Sequence, residues 1–314
     1  MSQSEHGSQR VILVALLVNF CIAVVKFIAA YLSRSSAMLA EACHSLADTT
    51  NQIFLLIGMR RSHRPEDQKH NFGYGSESYF WAFMVALSIF GVGGAFSVFE
   101  GIDKISNAHD PAHALKDPFW AYVVLSASMV LELISLRVAY NEFKAIAGDK
   151  GVRQAIEESR DPMVITVLFE DLAALFGLVV ALLGVWLASY TGNVAYDGAA
   201  SIVVGLALIG VSWLLARQSR SLLLGRSVTE GEAEKIEKIV RSFPFVEQIV
   251  HFRTMHLGPD EAILAIKIHF VGNLDVTALE VKINELEAAL RAELPVLRRI
   301  YVEPGFDERQ KTSA

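Results

Sequence analysis

His44 and Asp48 stand four residues apart in a hydrophobic stretch long enough to cross a bilayer, and Glu170 and Asp171 interrupt a second such stretch. Residues i and i+4 share one helix face, so an imidazole nitrogen and a carboxylate can be offered to one ion. Ionisable groups at membrane depth are costly and mark ion paths. If the two stretches pack together, Asp171 adds a second carboxylate, and two carboxylates cancel a dication's charge. With a neutral histidine they suit Zn2+ first, with Mn2+, Fe2+ or Co2+ open by ligand type. Oxygen-only sites for Ca2+ or Mg2+ fit less well. The competing reading is a polar cluster that only ties helices together through hydrogen bonds.

Such side chains need spanning helices to hold them. Of 314 residues, 53% are hydrophobic, mean hydropathy is +0.37, and the apolar residues gather in runs of about 20, enough to cross roughly 30 Å of hydrocarbon. There are six such runs, at 11–32, 37–58, 79–101, 118–140, 162–188 and 195–216. At about 1.5 Å per residue, His44 lies roughly 12 Å and Asp48 roughly 18 Å from the outer end of the second run, and Asp171 about 15 Å from the inner end of the fifth. That fifth run opens on Asp161-Pro162, a capping acid with proline at the first helical position. All three side chains therefore reach the midplane.

Lys and Arg are retained on the cytoplasmic side of a membrane. Basic residues crowd the loops after the second run (Arg60, Arg61, Arg64, Lys69), the fourth and the sixth, whereas the alternate loops are poor in them. Both termini are expected in the cytoplasm. No cleavable signal precedes the first run, and the lack of an organelle-directing leader fits a bacterial cytoplasmic membrane. The net charge of -6 argues against nucleic acid as a partner. Cys21 and Cys43 are the only cysteines and fall within spans, where they read as packing residues. No nucleophile paired with a base is evident, so an enzyme is not expected.

The expected organisation is a tail over 1–9, an all-α six-helix transmembrane bundle over 10–225, a cytoplasmic α+β domain over 226–305 and a tail over 306–314. In that domain 230–242 and 276–293 read as helices, 247–256, 261–271 and 297–303 as strands, with Gly258-Pro259-Asp260 as a hairpin turn. The order is αββαβ. Lys26 and Glu132, also at membrane depth, read as an internal ion pair or polar anchor rather than transport ligands, and Glu41, Lys26 and Glu132 are the candidates for a proton relay or a structural charge. Gly91, Gly93 and Gly94 permit close helix packing or helix movement. His109 and His113 with Asp110 and Asp117 read as a solvated outer loop.

Asn19, Lys26, Ser35, Ala37 and the run Glu41-Ala42-Cys43-His44-Ser45-Leu46-Ala47-Asp48 resemble the first two helices of the cation diffusion facilitator family, also called solute carrier family thirty. Pro65-Glu66-Asp67-Gln68-Lys69-His70-Asn71-Phe72-Gly73-Tyr74-Gly75 is similar to its cytoplasmic loop, and the likeness continues through Asp197-Gly198. The resemblance implies an exporter that moves zinc, or manganese, iron, cobalt or cadmium ions, out of the cytoplasm in exchange for protons, with no organic cofactor. It further implies a homodimer of six-helix bundles with a ferredoxin-like cytoplasmic domain, and a transport site built from paired ligands on the second and fifth helices. His44 and Asp48 match the first pair and Asp171 half of the second, but the remaining position is Val167. Phe169-Glu170-Asp171-Leu172-Ala173-Ala174 looks like the zinc-transporter-nine-like branch. Glu170, about 60° from Val167 on the helical wheel, is either a substitute ligand or a glutamate bonded to a neighbouring helix.

Proton coupling follows from the ligands, because metal requires them deprotonated, protons compete for them, and an unperturbed histidine titrates near neutrality. Asp67 and His70 match possible loop ligands, although Tyr74 replaces a frequent histidine. His269 and Glu303 are weaker candidates in the cytoplasmic domain. The alternative function is a non-transporting metal sensor or regulatory membrane partner.

Overall fold

The computed structural model describes residues 3–33, 36–107, 118–148, 151–272 and 274–305; for helical residues 3–8, 29–30, 32–33, 36–44, 118 and 120–121 only the backbone is described. The loop histidines His109 and His113 lie outside the described residues. Two compact units are present, Met1–Arg61 with Glu77–Arg220, and Ser62–Ser76 with Ser221–Ala314.

The first unit is helical: α1 Gln3–Ser33, α2 Ser36–Ser62, α3 Glu77–Ser88, α4 Phe96–Ser106, α5 Pro118–Ala147, a short α6 Val152–Glu158, α7 Pro162–Thr191 and α8 Ala195–Leu223. A π-helical segment, Ile89–Ala95, joins α3 to α4 without a break. Among the described residues five stretches are long and apolar enough to cross a membrane, namely Gln9–Ile28, Glu77–Ser106, Tyr122–Ala147, Pro162–Thr191 and Ala195–Leu223. The described part of α2 carries Asp48, Thr49, Asn51, Gln52, Arg60 and Arg61, which lowers its hydropathy. Where α7 begins, Asp161 Oδ1 accepts a hydrogen bond from the Met163 backbone N–H at 2.9 Å and Pro162 occupies the first turn. The acid-proline pair works as its chemistry requires.

α5 packs against α7 and α1. The apolar core gathers Ile12 and Ala15 from α1, Leu55 from α2, Val85 from α3, Ala139 from α5 and Val164 and Val167 from α7. Helix α4 and the π segment meet α8 through glycine. A Cβ on Gly101 would lie 2.5 Å from the Gly198 carbonyl oxygen, and one on Gly205 2.7 Å from that of Gly94. The two pairs are seven residues apart on each chain segment, so the backbones touch over two turns. Of the glycines singled out from sequence, Gly94 makes this contact, Gly93 is buried, and Gly91 has open space around it. Just beyond, Lys104 bridges Glu100 and Asp197, each at 3.1 Å. Cys21 faces outward instead of packing inside, because the buried stripe of α1 runs through Val18, Asn19, Ile22, Ala23 and Lys26; the Cys43 side chain lies outside the described residues.

In the second unit α9 Glu230–Arg241 and α10 Val276–Glu293 accompany a sheet of β1 Val246–Gly258, β2 Glu261–Phe270 and β3 Leu297–Pro304. The strand order is β1-β2-β3, β1 antiparallel and β3 parallel to β2. Ala262, Leu264, Ile266, Ile268 and Phe270 alternate into a core closed by Ile236, Val240, Leu286 and Leu290 from the helices. Loop Ser62–Ser76 belongs to this unit. Arg299 of β3 bonds Glu261 at 2.8 Å, also bonds Glu66, and lies 5.5 Å over the Phe72 ring. The hydrogen bonds that Arg299 donates to Glu66 and Glu261 raise its pKa further above the neutral range. Gly75 lies so close to β1 that a Cβ there would be 2.5 Å from the Leu257 carbonyl oxygen.

Candidate metal centre

Four helices supply charged or polar groups to one neighbourhood, all of them buried except the half-buried Asp48. Asp171 and Glu170 come from α7, Asp48 with Asn51 and Gln52 from α2, Glu132 and Ser135 from α5, and Lys26 from α1. Asp171 is 1% exposed, Glu170 and Glu132 7% each. The carboxyls of Asp48, Glu132, Glu170 and Asp171 lie within electrostatic reach of one another, and Lys26 is a neighbour of Glu132. Ionised carboxyls at this depth call for a cation or a proton.

Glu170 has defined partners. Its Oε1 accepts from the Asn51 amide at 3.0 Å and its Oε2 from the Gln52 amide at 2.6 Å. These amides were missed from the sequence, although their place three and four residues after Asp48 put them near its helix face and was the available signal. Asp171 takes a hydrogen bond from the Ser135 hydroxyl, while its Oδ2 has no partner. Val167, where the resemblance leads one to look for a ligand, is wholly buried in the apolar core. The backbone of His44 lies on α2 one turn before Asp48, and its side chain, like that of Glu41, lies outside the described residues. Among the described residues no three His, Cys, Asp or Glu side chains stand close enough to hold an ion.

The weaker candidates are engaged elsewhere. His269 Nε2 faces Glu247 Oε2 at 3.3 Å, and Glu303 pairs with Lys267 at 2.9 Å. In the loop, Asp67 Oδ1 accepts the Lys69 and His70 backbone N–H groups at 2.9 and 2.7 Å, and Oδ2 accepts the Tyr74 hydroxyl at 2.6 Å. His70 packs on the Tyr74 ring, centroids 4.3 Å apart. Tyr74 thus engages Asp67 Oδ2 within the loop.

The Tyr74 hydroxyl, then the His70 backbone N–H, hold the Asp67 carboxyl below its ordinary pKa. A lowered folded-state pKa means that the stabilisation is present above the ordinary carboxylate value and disappears as pH falls through the lowered one. Tyr74→Phe is expected to move the Asp67 titration upward, toward its unperturbed value. Carboxyl-carbon NMR of the full chain in micelles measures it, and an unmoved midpoint refutes the cause given.

Several long apolar helices with acids buried among them make this an integral multi-pass membrane protein. Residues 12–224 match the model of the cation efflux transmembrane domain, and the chain belongs to the cation efflux family. It is similar to proton-coupled zinc antiporter SLC30A9, mitochondrial, of Xenopus laevis, 32% identical over 91% of this chain and 52% of that one. Metal tolerance protein C4 of Arabidopsis thaliana is 31% identical over 87% of this chain and 59% of that one. Zinc transporter ZitB of Pectobacterium atrosepticum is 24% identical over 90% and 82%. The chain thus spans only about half the length of the first of these, 52%, and 59% of the second.

Proposed function

We propose that the chain is a proton-coupled antiporter that exports Zn2+ from the cytoplasm, with Mn2+, Fe2+, Co2+ or Cd2+ as lesser substrates. One observation carries most of this reading: Asp171 is buried at membrane depth with an oxygen that has no hydrogen-bond partner, and Asp48 is among its charged neighbours. The names of the Xenopus laevis and Pectobacterium atrosepticum relatives, a zinc antiporter and a zinc transporter, favour the same cargo. His44, Asp48 and Asp171 are the proposed ligands. Glu170, with both oxygens held by amides of α2, is proposed to brace that helix against α7, and this favours the tuning role over the ligand role. Protons driving the exchange compete with metal at the same ligands.

The wider arrangement follows the same reading. We assign α2 as a sixth span, both termini and loop Ser62–Ser76 to the cytoplasm, and residues 226–305 to a ferredoxin-like domain through which two chains dimerise. The bacterial cytoplasmic membrane expected from the sequence finds no support in a relative named mitochondrial. What the reading requires is a membrane that holds a proton gradient.

Zinc uptake into proteoliposomes under an imposed pH gradient tests the proposal. Zinc binding without flux would favour the sensor instead. In the same assay Glu170→Gln is expected to retain a substantial part of the flux, because the isosteric amide keeps the volume and can still pair with Asn51 and Gln52 after a flip. A loss as complete as that of Asp171→Asn, in folded protein, would make Glu170 a ligand of equal rank.

A further inference from the structure

We propose that Glu132 on α5 supplies the carboxylate that stands in for the ligand missing at Val167. The inference rests on the transport reading above and turns on which oxygens remain for an ion to use. Val167 is buried in the apolar core and offers none. Glu170 accepts a hydrogen bond at each oxygen, from Asn51 and Gln52, and swinging its carboxylate away toward a metal would strain or break charge-assisted hydrogen bonds, which are the strong kind.

Glu132 differs on both counts. It is as deeply buried as Glu170, yet its Oε2 has no hydrogen-bond partner. Asp171 Oδ2 is in the same condition. Ser135, one turn after Glu132 and therefore on the same helix face, bonds Asp171. The side of α5 that bears Glu132 is thus the side turned to Asp171, and Asp48 and Lys26 share the neighbourhood. Two buried acceptors without donors are a deficit that a dication fills, and carboxylate oxygen is a good ligand for Zn2+.

The plain competitor is that Glu132 only balances Lys26. Glu132→Asp separates the two, since it leaves a negative charge near Lys26 but withdraws the oxygens by one methylene. Full-length protein in detergent micelles is dialysed to equilibrium against radioactive Zn2+. Removing a contributor to the site is expected to weaken binding by roughly tenfold to hundredfold in Glu132→Gln and in Asp171→Asn. Glu132→Asp is expected to weaken it as well, and by more than Glu170→Gln, which removes a neighbouring charge but not a proposed ligand. Wild-type affinity in both Glu132 variants, with loss in Asp171→Asn, would overturn the inference and leave the transport reading standing. Wild-type affinity in Asp171→Asn, or no binding by the wild type, would overturn both. Should Glu132→Gln aggregate, Glu132→Asp decides alone: weakened binding supports the assignment and unchanged binding refutes it.

Discussion

Asp171→Asn is expected to abolish zinc uptake driven by a pH gradient in proteoliposomes while leaving a folded, monodisperse protein. The amide has the carboxylate's shape, so the hydrogen bond from Ser135 and the packing of α7 survive. The charge does not. A dehydrated dication in a low-dielectric site depends on anionic ligands to offset its lost hydration, and loss of such support costs on the order of tenfold to hundredfold in affinity. On the proposed reading flux suffers further, because the same carboxylate would take part in the competition between metal and proton that couples the two movements. Initial uptake rates, set beside size-exclusion profiles of the same preparations, measure the effect. Uptake at the wild-type rate would remove the centre from the transport path.

Gly101→Ala is expected to destabilise the fold. The added Cβ would lie 2.5 Å from the Gly198 carbonyl oxygen and 2.9 Å from the Ile202 backbone nitrogen. Those are main-chain atoms of α8, which no rotamer change can move aside. Forcing a methyl group into packed space costs about 1–3 kcal/mol, and here the relief must come from separating two spanning helices. The apparent melting temperature, followed by size-exclusion fluorescence, should fall by several degrees, roughly 2–4 °C for each 1 kcal/mol in a unit of this size. Gly91→Ala is the control, since nothing lies within 4 Å of a Cβ there. Equal behaviour of the two variants would mean that α4 and α8 do not meet through these glycines.

Much of the architecture was legible because hydrophobic periodicity and turn chemistry are local. The strands around Gly258-Pro259-Asp260 and the helix beginning at Asp161-Pro162 fall within a few residues of where pattern and capping put them. Short α6 and the π segment Ile89–Ala95 were not foreseen, since neither leaves a distinct period in the sequence. The acids were found because charge in an apolar run is conspicuous. Asn51 and Gln52 escaped because neutral amides are ordinary in a helix until a carboxylate from elsewhere meets them, and that meeting spans more than a hundred residues, 119 in the case of Asn51. Pairing of Lys267 with Glu303 and of His269 with Glu247 likewise depends on strand register, which no single segment encodes.

A chain cut after Arg220 would keep all five apolar stretches almost whole yet leave the segment between α2 and α3 bereft. Glu66 and Phe72 would lose the guanidinium that holds them, and Gly75 the strand it lies against. Deleting the carboxyl-terminal third is therefore also an operation on the connection that follows Asp48, and a transport defect in such a truncation cannot be credited to the removed residues alone.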